Sequence, residues 1–400
     1  MNLWPLLATG LVILTVSKVN AADMELLQPP TGAQTSLSRV TVDAKGQLHL
    51  SWVKATEELN SLYHASLTGE SWTAPKLIGE GEDWFVNWAD FPFLSVNDSG
   101  MAAHWPKKSS SGTYDYNVAA TFYRTETRRW SKPRIIHDDG VSAEHGFVSM
   151  LPMTEGRTFI TWLDGRNTRS DATQVDGHAS GGMTLRAGIF SGEGSTMEEW
   201  ELDGFVCDCC QTSSAMTESG PVVVYRNRTE DEIRDTYITR MIEGRWTKPV
   251  AVHRDNWQVA GCPVNGPSVA SSSGLTAVAW FTAKADMPKV QFVISQDDGK
   301  TFGDPVLVAE ESTNGRISVG ILDSGDIAIS WLETHGTAAK VMLTRYDQQG
   351  KLKEKLTIAG TKSSRRSGFP VIASHDNEVY VTWTDILGEQ PQVRVARVRF

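Results

Sequence analysis

Cysteine is scarce in this 400-residue chain: there are four in all, and three crowd into "VCDCCQT" as Cys207, Cys209 and Cys210, with Cys262 the fourth. So few exclude a small scaffold stapled by many disulfides. The cluster also lacks the C-x-x-C-H of haem attachment and the spacing of a zinc ribbon. Positive charge is short as well, since 38 Lys and Arg against 48 Asp and Glu leave a formal net charge of -10. General binding to nucleic acid or anionic lipid needs a basic face and is excluded, whereas a local basic pocket for a small acidic ligand is not. Long apolar runs are missing after the start of the chain. The run over residues 3–16 is shorter than the roughly 20 residues a membrane span needs. Small residues around Asn20 to Ala22 follow it, so residues 1–22 read as an export signal, although no Lys or Arg precedes the run. Residues 23–400 are then expected as one domain, without a membrane span, in a periplasmic or secreted, oxidising setting. Long helical patterns are few and tryptophans number 14, which points to an all-β protein.

What the chain does have is repetition. Alternating segments ending in an aromatic recur seven times, from "QLHLSW" to "EVYVTW". They close on Trp52, Trp105, Trp162, Tyr225, Trp280, Trp331 and Trp383. Each unit holds four strand-like segments, and the last hairpin often pairs an aromatic with a proline, as in "SWTAP", "RWSKP" and "RWTKP". Antiparallel four-stranded units of this length predict a seven-bladed β-propeller, because such a unit buries both faces only when stacked radially. The seventh unit stops after three strands, so "MELLQPP" near the start is expected to supply its fourth and close the ring.

The stretch "SQDDGKTF" fits the Asp-box pattern S-x-D-x-G-x-T-F/W and resembles the BNR, sialidase-like propeller superfamily. By that resemblance Asp297 is structural, on an outer hairpin. "EHGFVSM", "WLDGR", "CDCCQT", "YRNRTEDEIRD" and "GCPVNGP" resemble exported bacterial sialidase-like proteins over most of the chain. Two departures stand out. True sialidases have six blades, the alternative architecture, and no clean Arg-Ile-Pro motif is present.

Aligning the units against one another singles out residues that break the architectural norm. One position after each closing aromatic lie Val53, Pro106, Leu163, Arg226, Phe281, Leu332 and Thr384. Arg226 replaces an apolar residue there and needs a partner or an anionic ligand. The following loop adds Arg228, Glu232 and Arg234, either a carboxylate-binding surface or a solvated ion-pair network. Fifteen positions before the aromatics, allowing two extra residues in the third unit's turn, lie Leu37, Asp90, His145, Cys210, Asn265, Arg316 and Gly368. These starts of inner strands are expected to ring the axis on one face, with Trp88, Tyr114, Tyr116, Asp164, Arg166 and Trp257 around them. Any one of the tryptophans is as readily a packing plug.

Cys207 and Cys262 hold equivalent places in neighbouring units. A Cys207–Cys262 disulfide is expected, with Cys209 or Cys210 to Cys262 as rivals and a soft-metal site for copper or zinc as the alternative. Function divides along the same line. One reading is a sialidase-like enzyme on an acidic, sialic or uronic glycan. It has no cofactor, Asp90, His145, Asp164 and Glu232 as catalytic candidates, and Arg166, Arg226, Arg228, Arg234, Arg316, Arg366, Trp88 and Asn265 as binding candidates. Uronate lyase chemistry with His145 and a tyrosine is its variant. The other reading is a non-catalytic propeller that binds metal or a protein partner through the cysteines.

Overall fold

The structure, a computed structural model, describes residues 22–168 and 181–400; apart from Ala22, the expected export signal lies outside them. Seven antiparallel sheets form seven blades. Their inner strands are Thr35–Val42, Phe93–Asn97, His145–Pro152, Ser213–Thr217, Ser268–Ser272, Ser318–Ile321 and Val371–His375. Each packs beside the next, and the last closes on the first. The molecule is therefore a seven-bladed β-propeller, and the six-bladed alternative falls. Among the described residues no helix is long and apolar enough to cross a membrane.

The seven closing aromatics all lie on the second strand of their blade and are at most 4 % exposed. A strand covered on both faces by neighbouring blades must be apolar throughout, which is why these segments recur. Thr158–Asp164, for instance, is buried at every position. The aromatic-proline hairpins also find their reason. In blades 1, 2 and 4 the fourth strand is split in two, as with Ser71–Trp72 and Lys76–Gly81, and Pro75, Pro133 and Pro249 lie in the gaps. Proline has no N–H for the ladder, so the outer strand breaks there at no cost to its neighbour.

Closure follows the expected route. Asp23–Leu27 is the outermost strand of blade 7 and pairs with Gln392–Arg399, Asp23 facing Arg399 and Leu27 facing Val395. Register corrects one alignment. Arg39 faces Ser51 in blade 1 and Ser149 faces Thr161 in blade 3, pairs equally spaced along the chain, so the blade 3 turn holds no residues beyond those of blade 1. The counterpart of Leu37 is Phe147 rather than His145. Both sit at a bulge with left-handed φ, 54° and 52°.

Candidate functional site

The inner-strand starts do gather on one face, linked by side chains that cross between blades. Asp90 accepts from the Phe147 backbone N–H at 2.9 Å. Gln211 donates to the Ala89 carbonyl at 2.6 Å and accepts from the Gly266 N–H at 3.1 Å. Asn265 accepts from the Arg316 N–H at 2.7 Å, and the Arg316 guanidinium lies 4.6 Å from the Trp88 ring. The circuit thus closes around the axis.

At its centre of chemistry is one hydroxyl shared by two carboxyls. Tyr116, at the start of Tyr116–Arg124, donates or accepts at 2.8 Å with Asp90 and 2.9 Å with Glu144. Both carboxyls hold protons far above the carboxylate range. Burial raises Asp90 to about 7 against the bonds from Tyr116 and Phe147. Glu144 reaches about 8 through burial and the nearby charges of Asp90, Asp208 and Cys207. Tyr116 is pushed well above its usual value by the same burial and the two carboxyls. Asp90 and Tyr116 are buried while Glu144 is partly exposed, so Glu144 is the member a ligand meets.

A second cluster lies behind it. The His137 and His145 rings stack at 3.9 Å, and Asp139 touches both, 2.6 Å from His137 Nδ1 and 3.3 Å from His145 Nε2. His145 is fully buried, with Nδ1 on the carbonyls of Ala143 and Tyr116. Asp164 is buried too. Burial alone would raise it, but the two-pronged Arg166 bond and the His145 charge hold it down at about 2. It is a permanent carboxylate, so this catalytic candidate cannot donate a proton. The donor atoms of His137, Asp139 and His145 lie within 4.8 Å of one another, yet Arg166 already sets its cation 3.6 Å from Asp139. Asp139 is thus already paired with a cation.

The arginine loop is a network of internal pairs. Arg226 donates to the carbonyls of Asn265, Arg234 and Phe281 at 2.6 to 3.0 Å and stacks over Trp257 at 5.0 Å. It staples blade 4 to blade 5, and its contacts correct the expected role in ligand binding. Glu232 bridges Arg228 and Arg234. Burial opposes its charge, but those two arginines outweigh it and keep Glu232 ionised, so it too cannot serve as the acid. Arg316 is buried on the carbonyls of Ser364 and Gly368, whereas Arg366 is exposed on the neighbouring turn.

The cysteines form the rim beside this loop. The disulfide is Cys209–Cys262, one of the rivals, and not the expected Cys207–Cys262. Cys207 and Cys210 are buried free thiols with sulfurs 2.7 Å apart. Burial disfavours a thiolate, but the Cys210 hydrogen bond and the Arg234 guanidinium, 3.2 Å away, pull Cys207 below its usual value, whereas burial and the neighbouring Cys207 push Cys210 above its own.

Glu144, His137 and Asp139 were not singled out as site residues by sequence reasoning. Glu144 precedes an inner strand within "EHGFVSM", and only its partner Tyr116, 28 residues upstream, marks it.

The fold has known counterparts. No protein-family model and no curated protein matches the chain. Among solved structures, a polysaccharide lyase of family PL25, an ulvan lyase bound to a glucuronate-rhamnose sulfate unit, aligns with TM-score 0.55. It is 10% identical, over 93% of this chain and 95% of that one. A Dyadobacter fermentans protein of unknown function gives 0.51 at 11% identity over 94% and 98%. The endosialidase of phage phi92 gives 0.50 at 8% identity over 95% and 69%. At such identities these likenesses establish the propeller and nothing finer.

Proposed function

We propose that this chain is an exported enzyme, periplasmic or secreted, that cleaves an acidic glycan on its axial face, with Glu144 as general acid. The observation that carries it is a partly exposed carboxyl that desolvation and the neighbouring Asp90 charge hold protonated at neutral pH, against the hydrogen bond from Tyr116. An acid poised near the working pH is what protonation of a leaving glycosidic oxygen requires. Tyr116 joins Glu144 to Asp90, so the proton that Glu144 gives up is replaced along the hydroxyl from a second protonated carboxyl. Arg365 and Arg366, both exposed, supply positive charge around the same face for a sialic or uronic carboxylate. Propellers that act on such glycans, the ulvan lyase and the endosialidase, share the fold and support the substrate class.

The test is release of sugar from a panel of sialylated and uronate-containing glycans. An unsaturated uronate product, seen by its ultraviolet absorbance, marks a lyase; a reducing end without it marks a hydrolase. Glu144→Gln should lower kcat by roughly 10²- to 10⁴-fold with the fold intact. Inactivity of the wild type across the panel overturns the proposal.

A second reading rests on the touching thiols of Cys207 and Cys210. Two sulfurs with a stabilised thiolate suit a soft ion, copper(I) or zinc. Stoichiometric metal in protein purified without chelator, lost in Cys207→Ser, supports it. A second disulfide by mass spectrometry rules it out.

A further inference from the structure

The seven inner strands enclose an axial cavity of about 180 Å³, many times the roughly 10–15 Å³ that one water requires. Among the described residues Arg39 is the only charged one lining it. Its guanidinium lies 4.0 Å from the Phe93 ring and 4.9 Å from the Phe91 ring, and its Nε is buried without a hydrogen-bond partner. Asp90 is the carboxyl that acts on it, but the Asp90 oxygens are taken by Tyr116 and Phe147. The side chain is half-buried, and ring contacts recover only part of what holding a cation there without a hydrogen-bonded partner costs.

The rest of the wall offers donors. Ser213, Ser268 and Ser318 occupy the inner strands of blades 4, 5 and 6, and each accepts the backbone N–H of the next blade, from Val269, Val319 and Ile372, at 3.0 to 3.1 Å. A hydroxyl oxygen pinned by an N–H keeps its own proton to give. Gln211 straps one end of the cavity, between Ala89 and Gly266.

We propose that this cavity binds one small oxyanion of the sulfate or phosphate class, held by Arg39 and the hydroxyls of Ser213, Ser268 and Ser318. A tetrahedral anion accepts from several directions at once, which matches one guanidinium facing three hydroxyls across a ring. The site is distinct from Glu144 and stands whether or not the chain cleaves glycans.

Equilibrium dialysis of the full chain with radiolabelled sulfate, at constant ionic strength, tests it. One saturable site per chain is expected, competed by phosphate. Arg39→Lys should bind about 10-fold more weakly, because the guanidinium fork is lost while the charge stays. Arg39→Met should show no saturable binding and should melt no lower than the wild type in sulfate-free buffer. If Arg39→Met does not fold, the Ser268→Ala/Ser318→Ala double variant replaces it, with about 10-fold weaker binding expected. Competition by acetate but not by phosphate would identify a carboxylate site and overturn the assignment. So would absence of saturable binding to the wild type, or binding unchanged by the substitutions.

Discussion

At the residue scale, chemical role follows from what each side chain already touches. Four carboxyls on or beside the axial face divide cleanly. Asp164 and Glu232 are claimed by arginines and stay charged, whereas Asp90 and Glu144 share a neutral hydroxyl and keep their protons. Activity should therefore fall as pH rises through about 8, when Glu144 loses its proton. Tyr116→Phe, which removes the hydroxyl that links the carboxyls, should shift that limb and lower kcat by roughly 10-fold, read from a pH-rate profile. Arg226 has the opposite character. Its guanidinium binds three carbonyls in a buried position, so Arg226→Met leaves those acceptors without donors. A loss of about 3–5 kcal/mol in urea unfolding is expected, and a loss below 1 kcal/mol would show that the staple is dispensable.

At the element scale, legibility depended on burial. The second strands were readable because neighbouring blades cover both of their faces, so an aromatic-ended apolar run is forced at each of Trp52 to Trp383. The proline hairpins were readable for a related reason, since a missing N–H is tolerated only on the outer strand. The site was less so. Glu144 and Tyr116 come from segments flanking different strands, and their pairing depends on loop paths that no periodicity records. The two-residue allowance that aligns His145 with Leu37 does not hold in the register, yet His145 still lies beside the site because it opens the same inner strand. The N-terminal strand gives a prediction at this scale. Removing residues 22–27 strips the partner from Gln392–Arg399 and the ion pair from Glu25 to Arg397. The truncated chain should lose several kcal/mol and self-associate through the bare edge, seen by light scattering.

At the scale of the whole molecule, the ring is what brings distant sequence together, and its protonation should govern its stability. Asp90 at about 7 and Glu144 at about 8 bind protons in the folded chain that the unfolded chain releases near pH 4. Their contribution is complete below about pH 4 and is lost as pH rises through 7 and 8, in two linked steps because Tyr116 couples them. Other groups act in reverse. Burial and neighbouring charge hold His64 and His104 at about 3 and His137 at about 4, so their contribution is present above about pH 6.5 and lost on acidification. Asp164, at about 2, adds to the acid loss. The urea midpoint should therefore be highest near pH 6 and decline on both sides. Glu144→Gln keeps a neutral side chain at all pH values and should flatten the alkaline decline by on the order of 2–4 kcal/mol between pH 6 and 9, leaving the loss below about pH 4 unchanged. Parallel alkaline slopes in the two proteins would mean that Glu144 ionises normally in the fold, and the general acid would have to be sought elsewhere on the face.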